Sequence, residues 1–162
     1  MALGRPGETR IPFGAARYYA THDEWRRIIT HAAQGAHTIV IVAGDTPGVC
    51  EEYKMIVEQG LLDRTVLIFR PGAEAQAGNR AALVAFANAG GTVPEQLESG
   101  SASLVALVRL DGEPVLLTAQ SPDAAAYVAV LRAHFQRRDA ESLRCAARES
   151  PSIGPTAWGL RQ

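Results

Sequence analysis

The turn Gly44-Asp45-Thr46-Pro47-Gly48 is followed at once by two carboxylates, Glu51 and Glu52. A polar turn that opens a helix aims backbone N–H groups and the positive end of the helix dipole at a ligand. The neighbouring carboxylates would repel a phosphate lodged there, so a ribose hydroxyl or a protonatable group suits the turn better. No lysine follows Gly48 and no GxGxxG run is present, so the turn is neither a Walker loop nor a dinucleotide fingerprint. The same residues also read as a plain capped helix start. Arg5 and Arg17 stand in glycine-containing loops. Each could clamp a phosphate bidentately or pair with Glu52. Arg70, just before Pro71-Gly72, either faces the same crevice or is a surface charge. The ligand-binding candidates are therefore Arg5, Arg17, Gly44, Asp45, Thr46, Gly48 and Arg70.

Other reactive side chains lack partners at useful spacing. His22, His31, His37 and His134 are scattered, and no metal site is expected. Cys50 falls in a first helical turn, where the dipole favours a thiolate. No histidine stands beside it in sequence, so a small buried hydrophobe is the better reading. Ser99, Ser101 and Ser103 show no nucleophile-elbow pattern. Arg132, Arg137, Arg138, Arg144 and Arg148 read as a solvated helix face.

These residues need elements to hold them. Thr21 with Glu24 three residues on is a capping-box pair, and Trp25, Ile28, Ile29, Ala32 and Ala33 follow at helical spacing up to Gly35. Thr38 to Ala43 is apolar throughout, as in a strand covered on both faces. Asp45 or Thr46 caps the next helix, with Pro47 at its first position. Val49, Tyr53, Ile56 and Val57 share a face, and Gly60 stops it. A second buried strand spans 65–69, and a helix runs over about 77–89. Two strands, 104–110 and 114–118, flank Asp111-Gly112, a hairpin signal. Ser121-Pro122-Asp123 caps a last helix burying Tyr127, Val130, Leu131 and Phe135. Before all this, Ile11, Phe13, Tyr18 and Tyr19 are expected across the domain surface.

The order of elements predicts an α/β fold: a three-layer sandwich with a small, mainly parallel sheet, then a C-terminal hairpin and helix. The hairpin would place one antiparallel strand at an edge. Residues 1–137 form the expected domain, and 138–162 a loosely ordered tail. At 162 residues the chain can bury a core without disulfides or metals. A net charge of −1 gives no electrostatic case for nucleic acid. Two distant cysteines, no signal-peptide core and no membrane-length apolar run point to a soluble, cytoplasmic chain.

Gly4-Arg5-Pro6-Gly7-Glu8, Gly14-Ala15-Ala16-Arg17, Asp23-Glu24-Trp25 and the Gly44 to Gly48 turn with Glu52, in that order, resemble a set of bacterial TIR-like domains. Many of those look like cytoplasmic portions of membrane-anchored proteins. The resemblance covers about Leu3 to Phe135. It implies a flavodoxin-like fold and a signalling or protein-interaction module with a nucleotide-binding crevice, acting as a homo-oligomer or with another protein. It implies no resident cofactor, with NAD or another nucleotide as ligand or substrate. TIR domains that cleave NAD carry a glutamate at the start of the corresponding helix. Glu52 matches that position, so the resemblance makes it the catalytic candidate of an alternative NAD glycohydrolase. Two departures stand out. The family's first strand and helix have no counterpart before Leu3-Gly4, which suggests an incomplete domain or a non-catalytic fragment. Glu51 replaces the family's tryptophan.

Overall fold

The computed structural model describes residues 2–4, 17–19, 21–94, 103–120 and 122–149. In chain order the elements are β1 (Ala2–Gly4), β2 (Arg17–Tyr19), α1 (His22–Gly35), β3 (Ile39–Val42), α2 (Pro47–Glu58), β4 (Thr65–Ile68), α3 (Gln76–Asn88), β5 (Ser103–Leu110), β6 (Glu113–Ala119) and α4 (Ala124–Glu149). The capping box opens α1 as expected: Glu24 N–H donates to the Thr21 hydroxyl, and the Glu24 carboxylate accepts from Thr21 N–H at 3.0 Å. Those Thr21 hydrogen bonds hold the Glu24 carboxyl below its ordinary pKa. Thr46, not Asp45, caps α2, with Pro47 in the first turn. Gly60, at φ 64°, takes the chain out of that helix. Asp111 and Gly112 both have positive φ, the geometry of a type I′ hairpin turn.

The sheet is small, open and mixed. Its order is β3-β4-β5-β6, with β3 and β4 parallel and both later pairings antiparallel. The expectation of a mainly parallel sheet holds in part, since three of the four strands share a direction, but the expected place of the antiparallel strand at the edge is corrected. The one strand running against the others is β5, in the interior, and the edge strand β6 runs the same way as β3 and β4. So β5 enters from the end where β4 finishes, pairing Ala106 with Ile68. β1 and β2 form a separate parallel pair, which puts Tyr18 and Tyr19 in a strand.

Helices lie on both faces. On one, Ala33 of α1, Tyr53, Met55 and Ile56 of α2, and Leu83 and Phe86 of α3 pack on Ile41, Leu67 and Leu107. On the other, Tyr127, Val130 and Leu131 of α4 pack on Val66, Val105, Ala106 and Val108. A bulge between Leu104 and Ala106 breaks the strand alternation, which lets Val105 and Ala106 serve the same face. Among the described side chains of α4, Tyr127, Val130 and Leu131 are half-buried and the buried one is His134, not Phe135. Positions 127, 130, 131 and 134 make one stripe, and 135 is rotated off it. Phe135 instead stacks on His37, ring centroids 6.4 Å apart.

α4 continues unbroken through the boundary expected at 137–138, up to Glu149. Arg137 and Arg138 both pair with Glu141 within the helix, and Arg137 also donates to Arg109 C=O at 2.6 Å, which ties that part of α4 to β5. No helix among the described residues is long and apolar enough to cross a membrane.

Candidate functional site

The carboxyl ends of β3 and β4 lie side by side, and three buried or half-buried side chains pin them. From α2, the Tyr53 hydroxyl accepts from Gly44 N–H at 3.0 Å and donates to Gly44 C=O at 3.1 Å. From α3, Asn79 accepts from Arg70 N–H at 3.1 Å and donates to Arg70 C=O at 2.9 Å. From α4, Tyr127 donates to Phe69 C=O at 2.9 Å. Backbone groups at a strand end have lost their ladder partners, so each of these bonds replaces a missing one. Burial pushes the Tyr53 phenol above its ordinary pKa, opposed by the Gly44 backbone, so the hydroxyl stays protonated and keeps both bonds.

Over these pinned ends sits a crevice of about 140 Å³, lined by Ala43, Gly44, Asp45, Arg70, Glu74, Ala75, Gly78 and Asn79. One exposed guanidinium and two exposed carboxylates border it. A β-carbon on Gly44 would touch the Arg70 guanidinium and Val49 at van der Waals distance. At Gly72, φ 100°, a β-carbon would collide with the Glu74 carboxylate. Of these two glycines only Gly72 is required by the backbone, and it lets Glu74 fold across the loop; a β-carbon at Gly44 would fit.

Of the sequence candidates, Gly44, Asp45 and Arg70 meet in this crevice. Thr46 stands beside it as the helix cap, its hydroxyl 3.5 Å from Val49 N, and Gly48 is the second residue of α2. Glu52 lines a different place. It borders an apolar groove of about 340 Å³ between α1 and α2, with Ile29, Ala33, Ile39, Ile41 and Met55. Neither Glu51 nor Glu52 is in the first turn of α2, which holds no acidic residue. Glu51 pairs with Lys54 at 3.0 Å. Arg17 begins β2. Arg5 lies outside the described residues.

Sequence reasoning missed Asn79, Glu74 and the double bond from Tyr53. Asn79 carried a signal: asparagine is a weak helix former, and it stands in the first turn of an alanine-rich helix. At the opposite end of the sheet, His134 is buried with no hydrogen-bond partner for either ring nitrogen among the described residues. Burial, then the charges of Arg137 and Arg138, lower its pKa from the ordinary value, while the Arg64 backbone and Glu141 pull the other way. Among the described residues no group of three or more His, Cys, Asp or Glu could hold a metal ion. Compared with protein-family models, curated proteins and solved structures, the chain matches none.

Proposed function

We propose that the chain is a TIR-like signalling or protein-interaction module of the cytoplasm, whose crevice binds the ribose-phosphate part of a nucleotide. The observation that carries this reading is the meeting of Asp45, Arg70 and Glu74 around one crevice at the ends of two parallel strands. Open α/β sheets bind ligands at such ends. Arg70 offers paired donors to a phosphate, and the two carboxylates offer acceptors to sugar hydroxyls. At about 140 Å³ the crevice is smaller than the roughly 300–1,000 Å³ that encloses a whole drug-sized ligand, so the base would extend outside it. Helices on both sheet faces support flavodoxin- or TIR-like layering.

The interaction half of the reading rests on an uncovered apolar surface. Val40 and Val42 of β3 are 44% and 59% exposed, on the sheet face served by α4. Val128 and Phe135, seven residues apart on one side of α4, are 53% and 44% exposed. The His37–Phe135 stack ties that side of α4 to the start of β3. A patch of this kind fits a protein partner, a second copy included.

The test is a thermal-shift series with AMP, ADP-ribose and NAD. A nucleotide at a hundred times its Kd should stabilise the fold by about 2.7 kcal/mol, and Arg70→Ala should remove the shift. No shift with any of the three overturns the crevice reading. The alternative, NAD hydrolysis through Glu52, predicts nicotinamide release that Glu52→Ala abolishes. With Glu52 facing the α1–α2 groove, we expect no release above the blank.

A further inference from the structure

The geometry points to β2 as the strand that closes the open edge of β3, so that the β1–β2 pair is the outer part of the same sheet. This inference is independent of what the crevice binds. Ala43 N–H donates to Ile68 C=O at 2.8 Å. By strand alternation Ile39, Ile41 and Ala43 face β4, and the N–H and C=O groups of Val40 and Val42 face the other way. Among the described residues no strand pairs with β3 on that side. An unpaired edge of this kind takes up another strand.

Chain connection selects the occupant. Only Ala20 and Thr21 separate β2 from α1, so Tyr19 lies within about 11 Å of the start of α1. Residues 36–38 join α1 to β3. Loops this short are those of a β-α-β unit. α1 and α2 pack on the same face, because Ala33, Met55 and Ile56 share one core cluster. The crossover from β3 through α2 leads to β4 on one side. Nearly all such crossovers are right-handed, so a crossover from β2 through α1 on that same face brings β2 to the opposite side of β3, which is its open edge. The apolar groove of about 340 Å³ beside Ile39 and Ile41 is the space that a neighbouring strand would close. The resulting order is β1-β2-β3-β4-β5-β6, with the first four strands parallel. Gly4, Tyr19 and Gly44 then end at one rim, which the crevice shares.

Amide hydrogen exchange on the full chain, at a concentration where sedimentation shows a monomer, tests this directly. The Val40 and Val42 amides should exchange roughly a hundredfold or more slower than in an open strand. Free exchange at both positions overturns the inference. So does protection that appears only when the chain self-associates, since a second copy would then be the occupant. A second check uses a Cys50→Ala, Cys145→Ala background carrying Val40→Cys with Tyr18→Cys or Tyr19→Cys. A short bis-maleimide should link one of these pairs within a chain. Links only between chains, or none for either pair in a variant with the wild-type melting profile, count against β2.

Discussion

Tyr53 spends its hydroxyl on both backbone groups of Gly44, and no solvent reaches the side chain. Tyr53→Phe leaves a buried N–H and C=O unpaired and should cost about 1–3 kcal/mol, read by urea unfolding. It should also weaken ligand binding, because Gly44 lines the crevice. His134 gives a pH signature. Its folded pKa is lowered, so below the ordinary value near 6.5 the unfolded chain binds more protons than the folded one. Stability is therefore complete above that value and falls as pH drops below it. Protonation would add a third cation beside Arg137 and Arg138, near Arg64, with Glu141 the only acid of that group. Unfolding at a series of pH values should show this slope, and His134→Leu should flatten it. At this scale Asp45 and Arg70 were legible, being polar residues at the ends of apolar runs. Glu52 was not: one position along a helix is about 100° of rotation. Tyr53 turns under the crevice and Glu52 turns to the α1 side.

The elements were easier to read than their pairing. Helix starts announced themselves at Thr21 and Thr46, and the hairpin at Asp111-Gly112, because each depends on local chemistry. Strand direction does not. Whether β5 enters parallel or antiparallel depends on where residues 89–102 deliver the chain, and no residue in β5 encodes it. His134 was missed for Phe135 because hydrophobicity outweighed spacing in that reading. Thr21→Ala should cost about 1 kcal/mol, lowering the melting temperature by a few degrees. Ile56→Ala, at a fully buried position facing the sheet, should cost about 2–5 kcal/mol in the same assay. Gly112→Val forces a branched side chain to φ 87° and should destabilise the hairpin by more than about 1 kcal/mol.

Among the described residues, Asp45, Arg70 and Glu74 gather at one rim of the sheet, and Val40, Val42, Val128 and Phe135 are exposed on the side of α4. A net charge of −1 leaves little long-range repulsion between copies. If the uncovered surface is where a second copy sits, Val42→Glu should shift the sedimentation equilibrium to monomer and leave the melting temperature nearly unchanged, since its side chain is solvent-exposed, whereas Phe135→Glu should give the same shift and also lower the melting temperature by losing the His37 stack. The crevice and the α1–α2 groove are separate places, so a ligand's position can be read directly. Titration of AMP into isotope-labelled protein, followed by amide chemical shifts, separates them. The crevice account predicts saturable shifts at Gly44, Asp45, Arg70 and Gly78, weakened about tenfold or more by Arg70→Ala and untouched by Glu52→Ala. Shifts confined to Ala33, Ile39 and Glu52, and lost in Glu52→Ala, would contradict it.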